Sequence, residues 1–141
     1  MTDSQRIANV TAVAVAGQGL LIRGASGSGK SGIALEMMAR GAGLVADDGV
    51  VLTRRSNEVW ITPPAPLKGM IEARGIGLLA ADVVETARLF AVLDLDQRET
   101  DRMPPLRQTE VMGQKVALLH RYDSPYFPTA LVHYLKNGRR E

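Results

Sequence analysis

Apolar positions in this chain come in short runs broken by glycine, proline and polar residues, a pattern that predicts strands alternating with a few helices. Thr11-Ala12-Val13-Ala14-Val15 and Leu20-Leu21-Ile22 read as two strands, with Ala16-Gly17-Gln18-Gly19 as a hairpin link. From Gly32 to Arg40 the spacing changes. Ile33, Ala34, Met37 and Met38 recur at helical intervals, and Gly41 stands where a helix stops. Leu44-Val45-Ala46 and Gly49-Val50-Val51-Leu52 flank Asp47-Asp48, and Glu58-Val59-Trp60-Ile61 reads as a further strand. Leu89-Phe90-Ala91-Val92-Leu93 reads as a buried strand ending at Asp94, Val116-Ala117-Leu118-Leu119 as another short apolar run, and Thr129 to Lys136 as a closing helix. Three proline-bearing stretches divide these elements: Thr62 to Pro66, Arg102 to Pro105 and Asp123 to Pro125. The first leads into a short Leu67-Lys68-Gly69-Met70 segment. Strands, an early helix and hairpin-like links together predict an α/β domain in which a mixed sheet packs against helices.

At 141 residues there is room for one hydrophobic core, so residues 1–141 are read as a single domain. Composition narrows the chemistry. The chain is 45% hydrophobic and 23% charged, ordinary values for a globular protein. It contains no cysteine and only two histidines, which excludes a thiolate metal site and points any metal toward oxygen donors. The formal charge of +2 is too small and too dispersed to predict nucleic-acid binding. No apolar run is long enough for a membrane span and no signal-peptide core opens the chain, so no membrane contact and a cytoplasmic location are expected.

The strongest local signal is Gly24-Ala25-Ser26-Gly27-Ser28-Gly29-Lys30-Ser31, a Gly-x4-Gly-Lys-Ser/Thr loop between a predicted strand and a predicted helix. With this composition, about 0.004 accidental matches are expected along the chain, before the flanking strand and helix are counted. Glycines let successive N–H groups turn toward phosphate, and the following helix directs its positive end at the same charge. In such a loop Lys30 reaches the β and γ phosphates of ATP, and the Ser31 hydroxyl ligates Mg²⁺. The plain alternative is a Gly/Ser-rich turn that only starts a helix.

A phosphate loop leaves open what becomes of the γ phosphate. Two acidic sites compete for the role opposite Lys30. Asp94, after an apolar strand, has the shape of the second acidic motif in many P-loop proteins. Asp47-Asp48 offers two carboxylates, one to stay ionised beside the metal and one to handle a proton. It also reads as an Asp-Gly turn, because Gly49 follows. Spacing alone does not choose between them.

The phosphate loop, then Ala34-Leu35-Glu36, Arg40-Gly41 and Leu44-Val45-Ala46-Asp47-Asp48, resembles the catalytic domain of the HPr kinase/phosphorylase family. Asp47 and Asp48 follow Lys30 by 17 and 18 residues, and Ile71-Glu72-Ala73-Arg74-Gly75-Ile76-Gly77 is similar to that family's Glu-x-Arg-Gly-x-Gly signature. The length of the chain also resembles the family's short form, which lacks an N-terminal domain. The resemblance implies the P-loop fold shared with phosphoenolpyruvate carboxykinase. It further implies transfer of phosphate from ATP, or pyrophosphate, to a serine of the phosphocarrier protein HPr, with phosphorolytic removal as the reverse. By the same resemblance Asp48 is the catalytic acid/base, Lys30 contacts phosphate, and Ser31 and Glu72 ligate Mg²⁺. Arg102, in Asp101-Arg102, matches the family's catalytic arginine, with Arg98 and Arg107 as alternatives. A homo-oligomer is implied, a hexamer in the family.

Two departures bear on direction. The histidine that the family has 21 residues before the loop lysine is Asn9 here, which can hydrogen-bond but cannot carry a proton or a positive charge. The arginine-containing loop of the long members is also not visible around Leu119 to Pro125. Kinase chemistry is therefore expected over phosphorylase chemistry. Two other readings stand beside it: a small-molecule kinase using Asp94, and a nucleotide sensor without turnover.

Overall fold

The computed structural model describes residues 3–65 and 69–141. Pro66 of the proline-bearing link, and Leu67 and Lys68 of the segment after it, lie outside the described residues. Eleven strands and two helices are present among the described residues: β1 (Asp3–Ala8), β2 (Thr11–Val15), β3 (Gln18–Arg23), α1 (Lys30–Met38), β4 (Gly43–Ala46), β5 (Gly49–Arg55), β6 (Glu58–Thr62), β7 (Met70–Ala73), β8 (Gly77–Ala80), β9 (Ala87–Arg98), β10 (Arg107–Val111), β11 (Gln114–Arg121) and α2 (Phe127–Asn137).

Nine strands form one mixed sheet with the order β1-β5-β6-β9-β3-β2-β4, while β11 joins β9 and carries β10 at its other edge. The long strand β9 organises it. One edge of β9 pairs in parallel with β3, from Gln18↔Arg88 to Arg23↔Asp94. Its other edge is shared, first by β6 at Ile61↔Ala87 and Trp60↔Arg88, then in parallel by β11 from Ala117↔Ala91.

The central strands are apolar because both faces of the sheet are covered. Successive residues point to opposite faces. Ala12, Leu21, Val45 and Val92 accordingly enter one core with Val50, Leu52, Val59, Ile61 and Val116. Their neighbours Val13, Leu20, Ile22, Leu44 and Leu93 enter a second core with Ala34 and Met37 of α1 and Leu131 and Leu135 of α2. Burial on two faces explains why continuous apolar runs, rather than clean alternation, marked these strands in the sequence. The hairpin expected between Thr11 and Ile22 is β2–β3, registered from Thr11↔Ile22 to Val15↔Gln18.

Two sequence expectations need correction. Asp94 does not end its strand: β9 continues to Arg98, and Asp94 sits mid-strand opposite Arg23. Asp48-Gly49 does not close a hairpin either, because β4 pairs with β2 whereas β5 pairs with β1 and β6. The turn chemistry itself is present, since Asp48 adopts a left-handed φ of 66°. It serves to redirect the chain between strands that are not neighbours. The two-stranded β7–β8 sheet stands apart from the main one, pairing Glu72 with Leu78, and it carries the Glu-x-Arg-Gly-x-Gly stretch.

Candidate functional site

The Gly24–Ser31 loop leaves the end of β3 and runs into α1, between the two elements expected for it. Its backbone demands glycine at the first position. Gly24 has φ 155°, and a Cβ there would lie 2.7 Å from Ser28 Oγ and 3.1 Å from Leu95 Cβ. The loop is held from both sides. Lys30, only 8% exposed, folds back so that Nζ donates to Gly24 O at 2.8 Å and Ala25 O at 3.0 Å. On the other side, both carboxylate oxygens of Asp96 accept the Ala25 N–H at 3.0 Å. Asp96 is itself tied to Asp94, whose Oδ1 accepts the Asp96 N–H at 2.9 Å, and Asp94 pairs with Arg23 at 3.4 Å. The α1 N-terminus has no side-chain cap and no acidic residue in its first turn, so its amides and dipole remain available to an anion.

Asp47, in the link after β4, ties three elements together. This buried carboxylate accepts from the Thr11 hydroxyl of β2 at 2.8 Å, the Ser31 hydroxyl of α1 at 2.9 and 3.0 Å, and the Glu72 N–H of β7 at 3.1 Å. Its neighbour Asp48 is exposed, because the left-handed turn there points the two aspartates into different surroundings. Asn9, also left-handed at φ 62°, donates its N–H to Asp48 O at 3.3 Å. The pair thus divides into one carboxylate spent on structure and one facing solvent.

Around this knot lies a cavity of about 640 Å³, within the range of small-ligand sites. It is lined by Ser26, Gly27, Gly29, Lys30 and Ser31 of the loop, by Asn9, Thr11, Asp47 and Asp48, and by Met70, Glu72, Arg74 and Leu78 of the β7–β8 hairpin. Gly24, Ala25 and Ser28 form the base of the loop outside that lining. The side chains from which phosphate, metal and proton roles were expected therefore come together, with one exception. Arg102 lines a separate cleft with Glu99, Tyr122 and Arg139, and the structure does not bring it to the phosphate loop. The alternatives are also elsewhere: Arg98 pairs with Asp123, and Arg107 with Glu99 at 3.2 Å. The Arg107 side-chain hydrogen bond, with further bonds from the Asp101 and Thr100 amides, holds the Glu99 carboxyl below the ordinary carboxylate range. Asp94 does not line the cavity, and its carboxylate is occupied by Arg23 and the Asp96 amide.

The donor set fits Mg²⁺, a hard cation that takes one or two carboxylates together with phosphate and water oxygens. Among the described residues no three His, Cys, Asp or Glu side chains converge as a metal cage, and the available donors are the Ser31 hydroxyl and the exposed Glu72 carboxylate, with Asp47 orienting Ser31. Thr11, Asp96 and Arg74 are the site residues that motif spacing did not single out. Thr11 lies in a strand pattern that read as packing, and Asp96 lies beyond the strand end expected at Asp94, so no sequence signal marked them. Arg74 stands two residues after Glu72 in the signature, where the resemblance gave it no role.

Comparison with known proteins places the chain in one family. A model of the HPr Serine kinase C-terminal domain matches residues 2–98, which contain the loop, both aspartates and the β7–β8 hairpin. The HPr kinase/phosphorylase of Aromatoleum aromaticum is 45% identical over 116 residues, covering 72% of this chain and 37% of that protein. That of Polaromonas sp. strain JS666 is 43% identical over 115 residues, covering 70% and 36%. The chain thus spans a little over one third of the length of these curated relatives. The structure of the Hpr(Ser) kinase/phosphatase from Coxiella burnetii superposes with a TM-score of 0.78 at 22% identity, over 94% of this chain and 95% of that one, which shows the shared fold. By the family match over residues 2–98, the chain belongs to the HPr serine kinase C-terminal domain family.

Proposed function

We propose that this chain transfers the γ-phosphoryl group of Mg·ATP to a serine hydroxyl of an HPr-type phosphocarrier protein. One observation carries the reading: a single cavity is lined by the loop residues Lys30 and Ser31, the exposed Asp48, and Glu72. In the forward step the bond from the γ phosphorus to its bridging oxygen breaks and a bond to the seryl oxygen forms. The seryl proton passes to the Asp48 carboxylate, which is exposed and makes no side-chain bond to any described residue, while the Glu72 carboxylate is left to the metal. Lys30 exchanges its two carbonyl contacts, Gly24 O and Ala25 O, for phosphate oxygens, which gives shorter and stronger charge-assisted bonds. Ser31 and Glu72 would hold Mg²⁺, and Asp47, which accepts the Ser31 proton, leaves the lone pairs of that hydroxyl available to it. When bound, the ion neutralises charge on the β and γ oxygens. The 1–141 chain acts as one catalytic domain, and the hexamer implied by the resemblance belongs to the same proposal.

A nucleotide sensor without turnover is the second reading, and Asn9 favours it, because an amide stands in the cavity at the position where the family has histidine. A small-molecule kinase built on Asp94 loses its support, since that side chain is bonded to Arg23 outside the cavity. Incubation with γ-labelled ATP, Mg²⁺ and HPr from the same cell separates the three. Phosphoserine on HPr is the expected result. Nucleotide binding with no labelled product would favour the sensor, and a labelled metabolite would restore the small-molecule kinase.

A further inference from the structure

We infer that Arg74 is the guanidinium that meets the transferring γ-phosphoryl group within this chain, a role that rests on the phosphate-loop reading above. Arg74 sits at the tip of the β7–β8 hairpin, where the Ile76 N–H bonds back to Ala73 O at 3.1 Å and Gly75 takes a φ of 88°. That tight turn throws the side chain across the cavity mouth. A Cβ built on Gly27, in the middle of the phosphate loop, would lie 3.7 Å from Arg74 Nη2. The guanidinium therefore lies beside Gly27, in the middle of the loop.

The charge around it is what a polyphosphate would require. Among the described residues lining the cavity, the cations are Lys30 and Arg74. Lys30 is buried and bonded to two loop carbonyls at the base, whereas Arg74 is exposed and makes no hydrogen bond or ion pair with any described residue. An unpaired guanidinium beside an anion cradle is free to form a bidentate fork on non-bridging phosphate oxygens. Its position along the ligand follows from its own hairpin. The Glu72 N–H is fixed to Asp47, which holds Ser31, so the Glu72 end of this wall stands at the metal end of the loop. Arg74 lies two residues further on, beside Gly27, where it would meet the terminal group of a bound polyphosphate. Lys30 thus serves the phosphates at the base and Arg74 the terminal group, where charge is redistributed as the phosphoryl moves. Arg102, the arginine expected from the motif, lines another cleft.

Calorimetric titration of Mg·ATP and Mg·ADP into wild type and Arg74→Ala tests this without an acceptor protein. Loss of the fork is expected to weaken Mg·ATP binding roughly tenfold and Mg·ADP binding less than about twofold, as for one charged hydrogen-bonding group removed from one phosphate. Transfer to HPr at saturating ATP should fall roughly 10²-fold. Arg74→Lys, which keeps the charge but loses the fork, should recover part of both losses. Equal weakening of ATP and ADP, or no change in either, would overturn the role assigned to Arg74. Neither substitution removes a contact within the described fold, so both variants should melt with the wild type. A Lys30→Ala variant run in parallel keeps the two hypotheses apart. If it binds both nucleotides like wild type, the phosphate-loop reading fails, whatever Arg74 does.

Discussion

Replacing Asp47 tests the claim that the two adjacent aspartates have separate duties. In Asp47→Ala three donors lose a charged acceptor: the Thr11 hydroxyl, the Ser31 hydroxyl and the Glu72 amide. Hydrogen bonds to a charged group contribute roughly 1.5–3 kcal/mol each, so the gross loss is about 5–9 kcal/mol. Relief of carboxylate desolvation and hydration of the freed Ser31 and Glu72 groups offset part of it. Thr11 is 1% exposed, so its stranded hydroxyl costs up to about 1–3 kcal/mol, less where water from the adjoining cavity reaches it. A net destabilisation of roughly 2–4 kcal/mol corresponds to a fall in Tm of about 6–15 °C for a chain of this size. Thermal melts followed by circular dichroism read the first effect, and titration of Mg·ATP reads the loss of an oriented Ser31 oxygen. Thr11→Val combined with Asp47→Ala should cost less than the sum of the two single changes, because they break the same bond. A variant that melts within about 2 °C of wild type and binds nucleotide equally well would refute the knot.

Three further predictions follow from other contacts. Asp96→Ala releases the Ala25 N–H, so nucleotide affinity should fall several-fold while Tm moves little, because Asp96 is exposed; unchanged affinity would show that the loop keeps its shape without the clamp. Asn9→His should raise phosphate release from phospho-HPr more than it raises forward transfer, with the gain greatest toward pH 6 on a scan of roughly pH 6 to 8, because reverse transfer gathers more negative charge and an imidazolium offsets it. Glu99 is held below the ordinary carboxylate range chiefly by its hydrogen bond from Arg107, so the stability it contributes is complete above its unfolded value near 4.5 and is lost as pH falls through the lower folded value. Glu99→Gln should accordingly lower Tm at neutral pH and flatten its decline in acid, and a wild-type decline retained in the variant would assign the acid sensitivity to other groups.

How far the sequence reached depended on where each residue's energy comes from. Strands buried on two faces carry their signal in side chains, so β2 to β6, β9 and β11 were visible as apolar runs. β1 was not, because Asp3–Ala8 is a largely exposed edge strand held to β5 through its backbone, and its polar residues resemble a loop. β7 and β8 are four residues each, too short for periodicity to register, and Glu72 drew attention to itself as a ligand instead of as part of a pleat. The misplaced end at Asp94 has a similar origin: its charge looked like a strand boundary, but cross-strand pairing with Arg23 lets the strand continue. The loop itself was legible because phosphate binding by backbone amides imposes glycine, lysine and serine at fixed spacing. Residues that act by orienting others depend on contacts across 16 to 71 positions of sequence: Thr11 and Asp96 left no local pattern, and Asp47 was visible as one of a pair of aspartates but its orienting role was not.

The central claim is that Asp48 carries the proton at a phosphate cradle built by Lys30 and Ser31. The most direct measurement compares wild type and Asp48→Asn for transfer of label from γ-labelled ATP to HPr at saturating nucleotide, with Mg·ATP affinity measured alongside. Asparagine tolerates the left-handed backbone at this position, so the substitution changes charge and leaves the fold in place. The account predicts affinity within a few-fold of wild type and transfer lowered by roughly 10² or more. Transfer retained in Asp48→Asn, or a larger loss in Asp94→Asn, would contradict it.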